Sequence, residues 1–385
     1  MMNNGIKSLR KISFFGGLVF FLTSMFSCND KIDLIGDFQE TAVVYGLLDQ
    51  SDSIHYIRIN RAFIGPGNSL EFANIPDSNY FDDVEATITE TVNGNQTREW
   101  ILKDTLVENK DTNGVFYSPE QKLYYFITKK CNADGSQALN SVNQSDLLNS
   151  LNENAKYKIH LSINGGKIEV DGETDLVKDI TSPTVDPVSF RFDYIENDGS
   201  YGSNGIKANV GNSYIINTAL EVSFQEFGTS TNLKKFKWTL GEDEVVPNGF
   251  KVFTMPGENF YNLIKQNCTN DPSIFKRRIY SIKAIITGGS EDLYNYIAVS
   301  QPSSSIAQNK PTYTNLTVSQ GARVVGIFSS RYTYSVEKLY INPFNNSLRM
   351  LTVESVIELC QGPITGDLNF CSNHPADIGT NYYCN

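Results

Sequence analysis

Apolar residues recur at every second position along much of this chain. Val84, Ala86 and Ile88 alternate with Glu85, Thr87 and Thr89, and Tyr157, Ile159, Leu161 and Ile163 alternate with Lys156, Lys158, His160 and Ser162. A period of two puts each set on one face of a β-strand. Further strands are expected at residues 43–48, 54–63, 100–102, 116–117, 124–127 and 167–170. Turn residues separate them: Asn93-Gly94 before Trp100 and Asn164-Gly165-Gly166 before Lys167 each mark a hairpin. Beyond Pro183 and Pro187 the alternation resumes with Val188, Phe190, Phe192 and Tyr194. Later strands are expected at residues 219–224, 236–240, 280–286, 324–328 and 336–341.

Helical spacing is confined to short stretches. Leu147, Leu148 and Leu151 predict a helix over residues 146–154, and others are expected at 258–266, 291–300 and 353–359. Ser290 can cap the third of these, with Glu291 and Asp292 in its first turn. Many short strands broken by turns predict a mainly β protein, with two immunoglobulin-like β-sandwich domains carrying short helical insertions. The prolines at 183 and 187 place the boundary, giving domains at 41–182 and 183–360 and a cysteine-containing tail at 361–385.

The N-terminus follows a different pattern. Lys7, Arg10 and Lys11 precede an apolar run over residues 12–26, then Ser27 and Cys28. A basic n-region, a short h-region and a small residue before the cleavage point form an export signal. The run is shorter than the roughly 20 apolar residues that span a bilayer. The small residue before a cysteine resembles the bacterial lipoprotein signal, in which that cysteine is lipidated and becomes the mature N-terminus. Met25 and Phe26 depart from the usual aliphatic and small residues. The expectation is a signal peptide at 1–27, lipid on Cys28 and a tether at 28–40. Asp30 and Asp33 in that tether resemble a surface-export signal of Bacteroidetes-type lipoproteins, interrupted by Lys31.

Charge narrows the partners. The formal net charge is −11, and the leader carries three positive charges and no acidic residue, so the mature chain stands at −14. Nucleic acid is excluded as an expected partner because its phosphates need a basic footprint. Contact with the membrane is expected through the lipid on Cys28 rather than through the folded body. With 40% hydrophobic and 12% aromatic residues, the chain can build packed interiors.

Two blocks of the sequence carry a family resemblance. TAVVYGLLD followed by IHYIRINRAFIG, and later EDLYNYIAVSQPSSS, KPTYTNL and GARVVGIFSSRY, resemble an uncharacterised Bacteroidetes-type outer-membrane lipoprotein family, a domain of unknown function. The resemblance implies an envelope lipoprotein of the kind often associated with TonB-dependent transport. It carries over no catalytic residue.

Chemistry is otherwise sparse in the sequence. The histidines, His55, His160 and His374, lie far apart, and no His-Glu-x-x-His, Gly-x-Ser-x-Gly or phosphate-cradling glycine motif is present. No metal site and no cofactor is expected: the cysteines lack the close ligand spacing of structural zinc. Cys360, Cys371 and Cys384 cluster near the C-terminus, and one disulfide among them is expected with its pairing open. Carboxylate neighbours such as Asp82 and Asp83, or Glu242 to Glu244, read as solvated charge, although paired carboxylates are all that glycoside hydrolysis requires. Asn197, Asp198, Gly199, Asn204 and Gly205 hold calcium-friendly oxygens but read as a loop. Asp52-Ser53-Ile54 and Asp104-Thr105-Leu106 resemble a short O-glycosylation acceptor, with Ser53 and Thr105 the modified residues. Twenty Tyr and two Trp invite a carbohydrate-binding reading, while strands favour aromatic residues in any case.

The functional expectation is a non-enzymatic, lipid-anchored outer-membrane or cell-surface protein that assists a TonB-dependent transporter and binds a glycan or small molecule. A structural adhesin or matrix component, and a cryptic hydrolase, are the alternatives.

Overall fold

The computed structural model describes residues 40–62, 75–108, 120–128, 150–185, 191–196, 198–300, 312–339, 349–372 and 374–384. The expected leader, Cys28 and the tether up to residue 39, the 116–117 strand, Cys131 and Asn197 lie outside these residues.

Sixteen strands run through the described chain: β1 (Thr41–Leu48), β2 (Ile54–Ala62), β3 (Val84–Val92), β4 (Asn95–Ile101), β5 (Lys103–Val107), β6 (Gln121–Ile127), β7 (Lys156–Ile163) and β8 (Ile168–Asp175). They continue as β9 (Ile180–Thr181), β10 (Ser203–Val210), β11 (Ile215–Phe227), β12 (Thr231–Glu244), β13 (Phe250–Pro256), β14 (Lys276–Gly289), β15 (Thr317–Val318) and β16 (Arg323–Leu339). The helices longer than two turns are α1 (Gly257–Asn267), α2 (Glu291–Ser300) and α3 (Val353–Gln361). The protein is mainly β with short helices, as its sequence pattern predicts.

Three sheets share these strands. One has eight strands in the order β12-β11-β14-β16-β1-β2-β6-β5, one has five in the order β15-β8-β7-β3-β4, and one has three in the order β13-β10-β9. The inward residues of β1, β2 and β6 join those of β3, β4, β7 and β8 in a first core containing Val44, Ile57, Ile88, Trp100, Tyr157 and Phe328. A second core joins β10 and β13 to β11, β12 and β14, sealed by Phe260, Tyr261 and Ile264 of α1 and Leu359 of α3. Alternating inward faces of two sheets closing on one apolar layer is β-sandwich packing.

Local chemistry accounts for the tight connections. Asn93 and Gly94 have φ of 52° and 81°, the paired positive values of a type I′ turn, so β3 runs straight back into β4. The β7–β8 hairpin turns through positive φ at Asn164, Gly165 and Gly166.

Strand β16 links the two cores. Its first half pairs parallel with β1, from Thr41 opposite Arg323 to Leu48 opposite Ser330, and its second half pairs antiparallel with β14. Two strands were expected here, at 324–328 and 336–341, because polar residues interrupt the apolar run. They are one strand because the interruption is itself paired and buried. Ser329 and Ser330 are fully buried, Ser330 Oγ donates to Asp175 O at 2.6 Å, and Ser329 Oγ meets Ser290 Oγ at 2.5 Å. Gly326, at φ 108°, is required by the close approach: a Cβ there would lie 1.9 Å from Val44 O.

Three further expectations change. Residues 191–196 form no strand within a sheet; Phe192 and Tyr194 are buried, but the segment makes only isolated bridges, Phe192 to Leu351 and Ile195 to Tyr201. The helix expected over 146–154 is absent from its described part: residues 150–154 are loop and turn, and Leu151 reaches the first core from them. Strands β10 and β13 lie where no strand was expected. Asn204 and Gly205, read as loop, pair with Met255 and Thr254 across that ladder.

Candidate functional site

Alternation in β1 and β2 decides which side chains reach solvent. Ile57 and Ile59 turn into the core, which leaves Ile54, Tyr56 and Arg58 facing outward. Tyr45 lies opposite Arg58 in the register, and Tyr56 lies opposite Tyr125 of β6. A groove of about 260 Å³ opens on this face, lined by Tyr45, Leu47, Asp52, Ile54, Tyr56 and Arg331, with His55 beneath. Tyr56 is 46% exposed, which is large for an aromatic ring on a sheet face.

The rings are held in place. Tyr45 Oη meets Tyr296 Oη of α2 at 3.0 Å and their rings meet edge to face at 5.8 Å, while the Tyr56 and Tyr125 centroids lie 6.2 Å apart. Burial and the bond with Tyr296 push the Tyr45 phenol up to about 12, so it is a neutral hydroxyl at physiological pH.

The polar side of the groove is built around Arg331. Its Nε lies 3.5 Å from Oδ2 of buried Asp49, and its Nη2 lies 3.8 Å from Oδ2 of exposed Asp52. Asp49 also accepts from Ser51 N at 2.9 Å and from Thr333 Oγ1 at 3.1 Å. A buried carboxylate with several donors is a rigid anchor, so the guanidinium is aimed from the sheet and not from a loop. Asp52 and Arg331 together offer an acceptor and a donor side by side.

His55 turns away from the groove. Its ring stacks on Phe126 at 4.7 Å, Nε2 lies 2.8 Å from Thr128 Oγ1, and burial pushes its pKa down to about 4. His160 stands exposed on the opposite sheet between Glu169 and Asp171, each at 3.1 Å, as its place on the polar face predicts. His374 Nδ1 caps the short helical turn Pro375–Asp377 by accepting from Ala376 N at 3.2 Å. The structure does not bring the three histidines together. Among the described residues, no three His, Cys, Asp or Glu side chains converge in a way that could hold a metal ion.

The cysteine cluster resolves into one bond. Cys371 and Cys384 form a disulfide, while Cys360 on α3 is a buried thiol pushed up to about 12 by desolvation. The tail that holds this bond is packed down: Phe370 is buried, Arg349 pairs with Asp377, and Tyr382 packs against the second core. Cys268 is also a free thiol. Ser53 is exposed in the β1–β2 turn, and Thr105 is half-buried on β5. Asp82 and Asp83 are exposed before β3, Asp243 pairs with Lys251, and Asp198 accepts from Ser200 in a turn.

A second opening of about 320 Å³ lies at the start of α2, lined in part by Asp175, Tyr214, Glu291 and Asp292. Asp292 there already accepts from Tyr313 and from Asn315 Nδ2 at 3.0 Å. The β1–β2 groove differs in presenting an exposed aromatic ring, Tyr56, where the second opening has only the half-buried Tyr214. Tyr45, Asp49, Tyr56, Tyr296 and Arg331 all lie in the segments that carry the family resemblance, but nothing in the sequence marks them as site residues. The one local signal is that the outward set of β2 contains Ile54 and Tyr56, where a solvent-facing strand side would ordinarily be polar.

Comparison with known proteins adds little. No protein-family model matches the chain, and no curated protein matches it. Among solved structures, extracellular domains 3–5 of Drosophila OTK align at 11% identity over 74% of this chain and 66% of that one, just under two thirds of its length, with a TM-score of 0.13. A superposition that poor carries no argument. No described helix is long and apolar enough to cross a membrane.

Proposed function

We propose that this chain is a lipid-anchored protein of the bacterial outer membrane or cell surface that captures a ligand in the β1–β2 groove and serves as accessory to a TonB-dependent transporter, without a catalytic step of its own. The observation that carries the capture role is the groove itself: the exposed Tyr56 ring and the half-buried Tyr45 ring on adjoining strands, beside a pair formed by Arg331 of β16 and Asp52 of the β1–β2 turn. Concave sites that combine apolar surface with a few oriented polar groups are the ordinary form of a binding site. The polar groups there are engaged with one another, and the nearest histidine faces the core, so the arrangement favours holding over reacting. Support for the anchor comes from the basic n-region, the apolar run and Cys28, and support for the transporter comes from the family resemblance.

Fractionation and crosslinking of native cells test this reading. The full chain should sediment with outer membranes, incorporate labelled palmitate, lose both properties on Cys28→Ala, and crosslink to a β-barrel transporter. Recovery of the Cys28→Ala protein in the same membrane fraction refutes the anchor. Absence of any transporter adduct refutes the accessory role.

A further inference from the structure

We infer that the ligand of the β1–β2 groove is a neutral oligosaccharide, with one hexose ring stacked on Tyr56 and two of its adjacent hydroxyls held between Asp52 and Arg331. The inference rests on the capture reading above only in taking this groove as the site.

Charge is the first argument. Arg331 faces two carboxylates, Asp49 and Asp52, and Arg58 stands at the groove's edge, opposite Tyr45 in the β1–β2 register. With Arg58 at the edge counted, these two positive and two negative side chains offset one another. A phosphate or carboxylate ligand attracted by Arg331 meets Asp52, and an ammonium ligand attracted by the aromatic rings and Asp52 meets Arg331. A neutral ligand meets no such opposition.

Hydrogen-bond geometry is the second. The Asp52 carboxylate accepts and the Arg331 guanidinium donates, from atoms 3.8 Å apart. Two hydroxyls on neighbouring ring carbons can give a proton to one and take a proton from the other, which a simple apolar ligand cannot do. Asp49, buried behind Arg331, keeps the guanidinium in place before the ligand arrives, so little side-chain freedom is lost on binding.

Shape is the third. The groove, at about 260 Å³, is below the usual 300–1,000 Å³ of sites for drug-sized molecules, which suits a single ring entering it. One face of a pyranose is a patch of C–H groups, and an exposed tyrosine face is a matching surface. Tyr125 stands beside Tyr56 on the next strand with its ring centroid 6.2 Å away, a second platform outside the groove proper. Two adjoining platforms favour a chain of sugars over a monosaccharide.

Calorimetric titration of the full chain in detergent tests this with three neutral probes, the tetrasaccharides of α-1,4-glucan, β-1,4-glucan and β-1,4-mannan, and an acidic control, tetragalacturonate. At least one neutral probe should bind saturably and more tightly than its own monosaccharide, with the acidic probe weaker. Tyr56→Ala should weaken binding at least tenfold and Tyr56→Phe should retain it; Asp52→Asn and Arg331→Ala should each weaken it severalfold. Tyr56 is exposed, so an unchanged melting temperature for Tyr56→Ala verifies that the fold is intact. No saturable binding by any neutral probe, preference for the acidic probe, or binding that survives Tyr56→Ala overturns the inference. The two readings fail separately: glycan binding without a transporter adduct sinks the accessory role alone, and a transporter adduct without glycan binding sinks the ligand assignment alone.

Discussion

Acidification from about pH 7.5 to about pH 5 costs this fold roughly 2 kcal/mol through a single side chain, His55. The ring is 2% exposed, lies flat on Phe126, and has one polar contact, Nε2 to Thr128 Oγ1; Nδ1 has no hydrogen-bond partner. A proton on that ring would place a charge against apolar neighbours with nothing to accept from it. Burial therefore lowers the folded-state pKa to about 4, against 6.5 for an exposed imidazole. Because the folded value is the depressed one, the stabilisation is fully present above the unfolded pKa and is lost as pH falls from there through the folded pKa. The unfolded chain takes up the proton first, with a slope near 1.4 kcal/mol per pH unit inside that window.

The assay is urea denaturation of the wild type and of His55→Phe at both pH values. At the higher pH the variant should be about 1 kcal/mol less stable, since it loses the bond to Thr128. At the lower pH the order should reverse, with the variant ahead by about 1 kcal/mol. Carboxylates such as Glu90, Glu226 and Asp377 titrate in both proteins and cancel in the comparison. If the gap between the two proteins is the same at both pH values, the desolvation argument is wrong.

Other positions offer sharp outcomes. Burial pushes the Glu90 carboxyl up, but bonds from Arg98, Thr97 and Tyr157 outweigh it and hold the group below its usual range. Arg98→Met leaves that carboxylate buried without its cation and should cost about 3–5 kcal/mol in chemical denaturation, with most of the loss recovered by adding Glu90→Leu. Cys371→Ser opens the 13-residue span closed by the disulfide and should lower stability by about 3 kcal/mol, read as a drop in melting temperature that a reductant reproduces in the wild type. Gly326→Ala forces a Cβ against Val44 O and should cost more than about 3 kcal/mol, seen as loss of folded protein on circular dichroism.

What the sequence determined by itself was everything that depends on neighbouring residues. The alternation in residues 156–163 assigned the inner and outer faces of β7, Asn164-Gly165-Gly166 closed its hairpin with β8, and Ser290 began α2, because side-chain period, turn conformation and capping are set within a few residues. Where a local signal was weak or misleading, only the fold decided. Three leucines at helical spacing did not make a helix through residues 150–154, because Leu151 packs into the first core from a loop. Polar Ser329 and Ser330 did not break β16, because the backbone pairs with β1 and the two buried hydroxyls find partners in the Ser290 hydroxyl and the Asp175 carbonyl. The groove shows the same limit. Tyr45 and Tyr56 come from the first strands and Arg331 from the last, brought together by the parallel pairing of β1 with β16. Pairing of that kind depends on closing a long stretch of chain and burying its polar groups together, and no short window of residues encodes either.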